Sequence, residues 1–193
     1  MKPASMLLKS IVIAVFALHA QMSFAQSVQV KDIPARPGDV STLDGLMGAF
    51  YDVVNIAPQE ARQWDRDRTL YVPWIRFVGT SIDAHGKVKA SSWTHQEYVE
   101  ATEPLVTGGF KEWEISRRTQ EYGNIAHIDS TYAGEAIEDG KLERFRGVNS
   151  IEAYFDGTRW WISSVMWMSE SPNHPIPTMF LDKSQNLSGS SGK

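Results

Sequence analysis

Alternation of apolar and polar residues dominates the second half of the chain. Three consecutive segments show it, at residues 123–136, 143–155 and 158–170. Side chains of a β-strand point alternately to its two faces, so a period of two indicates strands with one buried face. Asp156-Gly157 separates the last two segments, and this dipeptide is typical of hairpin turns because glycine tolerates a positive φ. The pattern predicts an antiparallel meander.

Helical spacing of apolar residues is confined to the region before this meander. We predict one helix after a cap at Ser41 or Thr42, a second from Pro58, and a third from His95 to about Thr102, where Thr94 and Glu97 have capping-box spacing.

Further strands lie between the helices and the meander. Residues 70–79 are apolar but contain Pro73, so this strand is expected to begin near Trp74. A hairpin is predicted around residues 83–87, and Gly108 and Gly109 precede another long strand. Helices early and strands late predict an α+β fold with about three N-terminal helices packed on a curved, mainly antiparallel sheet.

The two ends of the chain differ from the rest. Residues 1–25 combine Lys2 with an apolar run at 11–20 and with small residues at Ser23 and Ala25, which is typical of a secretory signal peptide. The run is too short for a stable membrane span. We therefore expect a periplasmic or secreted protein with an extended lead-in at 26–40 and one domain at 41–170. A Pro-rich segment and a disordered polar tail are expected at 171–193.

Composition narrows the classes of function. The chain contains no Cys, which excludes disulfides and thiol chemistry. It has 19 Lys and Arg against 23 Asp and Glu, and loss of residues 1–25 would remove two Lys and change the net charge from −4 to −6. Such a balance does not favour a nucleic acid or an anionic membrane as partner.

The sequence gives no indication of a metal or a cofactor. The His residues outside the signal segment lack metal-ligand spacing; they are His85, His95, His127 and His174. No nucleophile elbow, phosphate-binding glycine loop or dinucleotide fingerprint is present. Any chemistry would therefore be acid–base catalysis without a cofactor.

The order of elements resembles the nuclear-transport-factor-2-like superfamily, which includes SnoaL-like polyketide cyclases and ketosteroid isomerases. The segments RQWDRDRTLYVP (62–73), GNIAHIDSTY (123–132), RGVNSI (146–151) and DGTRWWI (156–162) look like uncharacterised bacterial members. The resemblance implies a cone-shaped domain, commonly dimeric through the convex face of its sheet. It implies a range of activities, because the superfamily contains isomerases, dehydratases, epoxide hydrolases, cyclases and non-catalytic binders. No Asp here matches an isomerase-type general base by motif.

Side-chain alternation identifies candidate ligand-binding residues. Ser130 and Tyr132 share a strand face with apolar residues, as does Asn149 on the next strand. Hydroxyl and amide groups among apolar ones suit a pocket that polarises a carbonyl or holds an oxyanion. Alternatively, Ser130 and Asn149 satisfy each other inside the core. Aromatic residues are predicted to form either the cavity wall or the core; these are Tyr51, Trp64, Tyr71, Trp74 and Trp160.

Three residues are candidates for catalysis. His127 and Asp129 share a strand face and could form an acid–base pair, but alternation places them on the convex side, where a dimer interface is the competing role. A β-bulge would reverse this assignment. Asp65, beside Trp64, could point inward, although Asp65 and Asp67 together suit a solvated helix face.

These observations predict an exported domain that binds a small, largely apolar or amphipathic molecule in a cone-shaped cavity. A cofactor-free isomerase, dehydratase, cyclase or hydrolase that uses the same cavity is one alternative. A protein association module is another. We also expect a homodimer through the sheet.

Overall fold

A computed structural model of the chain describes residues 28–83, 85–103, 108–138 and 140–182. The helices are α1 (Pro37–Val40), α2 (Leu43–Asp52), α3 (Trp64–Arg68) and α4 (His95–Thr102). The strands are β1 (Tyr71–Ile82), β2 (Val88–Trp93), β3 (Phe110–Tyr122), β4 (Ile125–Glu138), β5 (Lys141–Phe155) and β6 (Trp160–Ser169). The predicted signal peptide and the polar tail from residue 183 lie outside the described residues.

The six strands form one sheet in the order β2-β1-β6-β5-β4-β3. Every neighbouring pair is antiparallel except β1 and β6, which are parallel. Antiparallel pairing from β3 to β6 is the predicted meander, and the α+β class is confirmed. The hairpin turn at Gly157, with φ +99°, is also as expected.

Two helices begin at the predicted caps. The Thr42 hydroxyl accepts a hydrogen bond from Gly45 N at 3.0 Å at the start of α2. At the start of α4, Thr94 and Glu97 form a complete capping box. Each cap satisfies backbone N–H groups that the first helical turn leaves without partners.

The helix predicted from Pro58 is wrong, because helical structure begins only at Trp64. Gln59 has a φ of +65°, in the left-handed region, which a continuous right-handed helix cannot contain. The Glu60 carboxylate accepts a hydrogen bond from Ala57 N at 2.8 Å and stabilises a turn instead. In the lead-in, α1 is a short helix where we expected extended chain.

Strand β1 begins at Tyr71, three residues before the predicted start. Its register against β6 shifts between Tyr71 and Arg76, and Pro73 lies within that interval. Trp74 alternates with the buried Ile75 and Phe77, so its side chain points away from the core and the residue is 67% exposed. The prediction that Trp74 lines a cavity is therefore wrong.

The core lies between α2 and one face of the sheet. It is formed by side chains that α2 and strands β1, β4, β5 and β6 bury completely, among them Leu46, Met47, Ile75, Ile128, Ile151 and Ile162. We call this face the cavity side and the opposite one the outer face.

The Pro-rich segment folds back across the outer face. The Thr131 hydroxyl donates to the carbonyl oxygen of Phe180 at 2.5 Å, and the Ser116 hydroxyl donates to that of Asp182 at 3.3 Å. Both hydroxyl residues are buried as a result. Within the described residues no helix is long and apolar enough to cross a bilayer.

Candidate functional site

A cavity of about 600 Å³ lies on the cavity side of the sheet, beyond the core. Aromatic side chains from both helices and strands are prominent in its wall: Phe50, Phe77, Trp93, Tyr98, Phe110, Phe145 and Trp167. Several rings pack against one another, so the wall does not depend on a ligand for its shape. Phe77 and Tyr98 stack with ring centroids 4.6 Å apart, and Trp93 and Trp167 stack at 5.9 Å.

Tyr132 and Asn149 are the polar residues that alternation placed in the cavity, and both line it. The Tyr132 hydroxyl is 3.3 Å from Ser169 Oγ, and burial raises the pKa of this phenol, so Tyr132 is a neutral donor. Asn149 Nδ2 donates to the Tyr51 hydroxyl at 3.2 Å. That either residue contacts a ligand stays a prediction.

Ser130 lies on the cavity side of β4 but below the cavity, within the core. Its hydroxyl is 2.7 Å from the Tyr51 hydroxyl, and it also donates to the Glu114 carboxylate. Tyr51 therefore connects Ser130 with Asn149, and no direct bond between those two is formed. The alternative in which the side chains of Ser130 and Asn149 satisfy each other is therefore wrong as stated, because each of them bonds to Tyr51 instead.

Tyr71, Asp67 and His95 form a buried polar chain beside the cavity. The Asp67 carboxylate accepts from the Tyr71 hydroxyl at 3.1 Å and lies 2.7 Å from His95 Nε2. Tyr71 and Asp67 line the cavity. The expectation that Asp67 belongs to a solvated helix face is wrong, since only 3% of the residue is exposed. The short helix α3 turns Asp67 inward.

Glu112 is a cavity residue that sequence reasoning missed. It lies on β3 opposite Gly134, and its backbone N–H donates to Asn55 Oδ1 at 2.6 Å, which attaches the strand to the end of α2. Its carboxyl group makes no hydrogen bond to the described residues. Burial raises its pKa to about 8, although the positive charge of Arg62 acts in the opposite direction. Glu112 is therefore mainly protonated at neutral pH.

Arg62 is the second cavity residue that was missed. Its guanidinium carbon lies 4.1 Å from the centre of the Trp64 ring, a cation–π contact. Its Nε is buried and has no hydrogen-bond partner. Trp64 itself is buried outside the cavity lining, where its indole N–H donates to Glu103 at 2.5 Å.

The catalytic candidates lie away from the cavity. His127 is on the outer face, with Nδ1 2.7 Å from Glu152 and Nε2 3.4 Å from Asp129. Asp65 accepts a hydrogen bond from Lys31 N at 2.7 Å and holds the lead-in. Trp160 packs against Phe155 and the core, with ring centroids 5.8 Å apart. In the described part of the chain, no three His, Asp or Glu side chains are grouped to hold a metal ion.

Comparison with known proteins gives a likeness in structure alone. No protein-family model matches the chain, and no curated protein matches its sequence. A protein of unknown function from Mycobacterium tuberculosis superposes with a TM-score of 0.51 at 12% identity, over 69% of this chain and 73% of that one. A nuclear-transport-factor-2-like superfamily protein from Salmonella enterica serovar Typhimurium gives 0.48 at 16% identity, over 68% and 87%.

A calcium/calmodulin-dependent kinase II hub from S. rosetta gives a TM-score of 0.46 at 14% identity, over 72% of this chain and 100% of that one. At such identities the likeness concerns the fold only. The chain thus shares an α+β fold with the Mycobacterium tuberculosis protein.

Proposed function

We propose that this domain binds a small, mainly apolar molecule in its cavity. The observation that carries the proposal is a cavity of about 600 Å³ whose lining is mainly apolar and rich in aromatic rings, with polar and charged side chains among them. Small-molecule sites are usually concave, mostly apolar and largely formed in advance, with a few polar groups that orient the ligand. A filled core would not leave this volume open.

The polar side chains support a ligand with one polar end. Tyr132 offers a phenolic O–H, and Asn149 offers amide groups, from neighbouring strands β4 and β5. A wholly apolar ligand would withdraw these polar groups from water without offering them a new partner, so a ligand with a polar end that bonds to them is favoured.

Native mass spectrometry of the purified protein tests the proposal. We expect a co-purifying small molecule that is lost in Ala136→Phe, because residue 136 lines the cavity and a phenyl ring would fill part of it. Ala133→Phe is the matched control, since Ala133 lies on the outer face of the same strand. Retention of the molecule in Ala136→Phe together with its loss in Ala133→Phe would contradict binding in the cavity.

Acid–base catalysis in the same cavity is a second candidate function. Glu112 favours it, because a carboxyl group with a pKa of about 8 can exchange a proton with a bound molecule near neutral pH. The test is turnover of the co-purifying molecule by the wild type and by Glu112→Gln. Equal turnover by both would exclude Glu112 from the chemistry.

We further propose that the protein is exported and self-associates through the outer face of its sheet. The signal-like composition of residues 1–25 supports export. Met166, 46% exposed on the outer face of β6, supports an interface beside the area that the Pro-rich segment covers. Light scattering on wild type and Met166→Glu measures association, and N-terminal mass analysis measures cleavage after Ala25.

A further inference from the structure

The guanidinium of Arg62 has an unusual position among the arginines of this domain. It lines an apolar cavity, its Nε is buried without a partner, and no carboxylate of the described residues lies within ion-pair distance. A buried donor without a partner costs free energy in the empty protein. A ligand that accepts from this group would recover that free energy.

Four other partly buried arginines are satisfied by protein oxygens. Arg66 pairs with Asp39 and Asp52, Arg117 pairs with Glu114 and Asp44, Arg68 donates to the carbonyl oxygens of Tyr71 and Val72, and Arg159 donates to that of Thr69. Arg62 Nε, by contrast, is the one buried side-chain nitrogen or oxygen atom of the described residues that lacks a partner.

The two acidic side chains of the cavity near Arg62 do not neutralise it. Asp67 already accepts hydrogen bonds from Tyr71 and pairs with His95. Glu112 is close enough for Arg62 to lower its pKa, yet burial has the larger effect and leaves Glu112 mainly protonated at neutral pH. A protonated carboxyl group does not repel an anion and can donate a hydrogen bond to it.

We infer that Arg62 binds a carboxylate group of the ligand, so that the molecule in this cavity is a monocarboxylate with an apolar body. Guanidinium N–H groups match the geometry of a carboxylate, and the bond strengthens in an apolar environment. The aromatic wall accommodates the apolar body, and the stacking of Arg62 on Trp64 holds the guanidinium in place. This inference rests on the proposed function and further specifies that the ligand carries a negative charge.

The test compares two probes that differ only at the polar end, octanoate and octanamide. Trp93 and Trp167 line the cavity, so a change in tryptophan fluorescence reports binding of either probe. At pH 7 we expect wild-type protein to bind octanoate at least tenfold more tightly than octanamide. Equal affinity for the two probes would overturn the inference while leaving the proposed function intact. If neither octanoate nor octanamide binds, both the inference and the proposed function are contradicted.

Variants locate the effect at Arg62. Arg62→Gln should weaken octanoate binding about tenfold or more and change octanamide binding less than twofold. Arg62→Lys keeps the charge and should give an intermediate loss, which a folding defect would not. Arg76→Gln is the control, because it removes the same charge from an exposed position on β1 that does not line the cavity. An equal loss of octanoate affinity in Arg76→Gln and Arg62→Gln would contradict the assignment.

Discussion

The phenol of Tyr132 lies directly over Gly147, its register partner on the neighbouring strand. A Cβ atom at position 147 would be 2.2 Å from the Tyr132 hydroxyl oxygen and 2.6 Å from the carbonyl oxygen of Met168. Only glycine leaves space for the ring at this point. The orientation of Tyr132 in the cavity therefore depends on a residue that has no side chain.

Gly147→Ala should displace Tyr132 and lower the free energy of unfolding by about 1–3 kcal/mol, the usual cost of overpacking. Urea unfolding measures this. Gly48→Ala in α2 is the control, because nothing lies within 4 Å of its added methyl group and alanine favours the helix, which should increase stability by about 0.5–1 kcal/mol. Since the hydroxyl oxygen and Cζ of Tyr132 would both clash with the added methyl group, at 2.2 and 2.4 Å, Gly147→Ala combined with Tyr132→Ala should cost less than the sum of the two single substitutions.

Tyr132→Phe alone should weaken octanamide binding by about 1–3 kcal/mol, because the amide carbonyl loses its phenolic donor. His127→Ala should leave this affinity unchanged, since His127 lies on the outer face and bonds to Glu152. Fluorescence titration gives both values. Unchanged binding in Tyr132→Phe together with loss in His127→Ala would show that the ligand binds to the opposite face of the sheet.

Glu112 makes stability depend on pH. Its folded-state pKa of about 8 exceeds the ordinary value of 4.5, so between these values the folded state binds more protons than the unfolded state. Stability from this group is therefore complete below pH 4.5 and declines as pH rises towards 8. The free energy of unfolding of Glu112→Gln, measured relative to wild type, should therefore increase by on the order of 2–4 kcal/mol as the pH rises from 4.5 to 8.5.

Urea unfolding at several pH values measures this gain. Glu121→Gln, at the exposed end of the same strand, removes an equal charge and serves as the control. A gain of the same size in Glu121→Gln would show that general charge repulsion, and not burial of Glu112, is responsible.

Asp67 and Asp65 are two residues apart and should respond differently to mutation. Asp67→Ala leaves His95 and the Tyr71 hydroxyl buried without their partner, and should cost about 2–4 kcal/mol of stability. Asp65→Ala removes one hydrogen bond to Lys31 near the surface and should cost about 1 kcal/mol or less. Thermal or urea unfolding of both variants checks the difference, and equal losses would contradict the buried role of Asp67.

The meander was predictable because its strands are regular and half buried. In β4 and β5 the side-chain period is uninterrupted from Ala126 to Tyr132 and from Asn149 to Ala153, so alternation alone separates the cavity side from the outer face. The capping box at Thr94 was equally informative, since it specifies a helix start through local hydrogen bonds.

Prediction failed where tertiary contacts or irregular backbone decide the outcome. Residue type alone did not show that Trp74, which alternates with the buried Ile75 and Phe77, points away from the core. Glu112 lies in the stretch Lys111 to Glu114, whose charges suggest a solvated strand, and only the assembled cavity makes it half-buried. Arg62 and Asp67 belong to a segment rich in both charges, where the sequence does not reveal which of them turns inward.

The parallel contact of β1 with β6 bears on how the domain folds. Thr80 donates to the carbonyl oxygen of Trp167, which lies 87 residues further along the chain. The pairing of β1 with β6 therefore has to close a long loop. Closing so long a loop is entropically costly, and proteins dominated by distant contacts fold slowly. Hairpins can form early and locally. The part of the cavity wall that contains Phe77 and Trp167 can form only after β6 has paired with β1. Binding competence should thus be the last property that a refolding chain acquires.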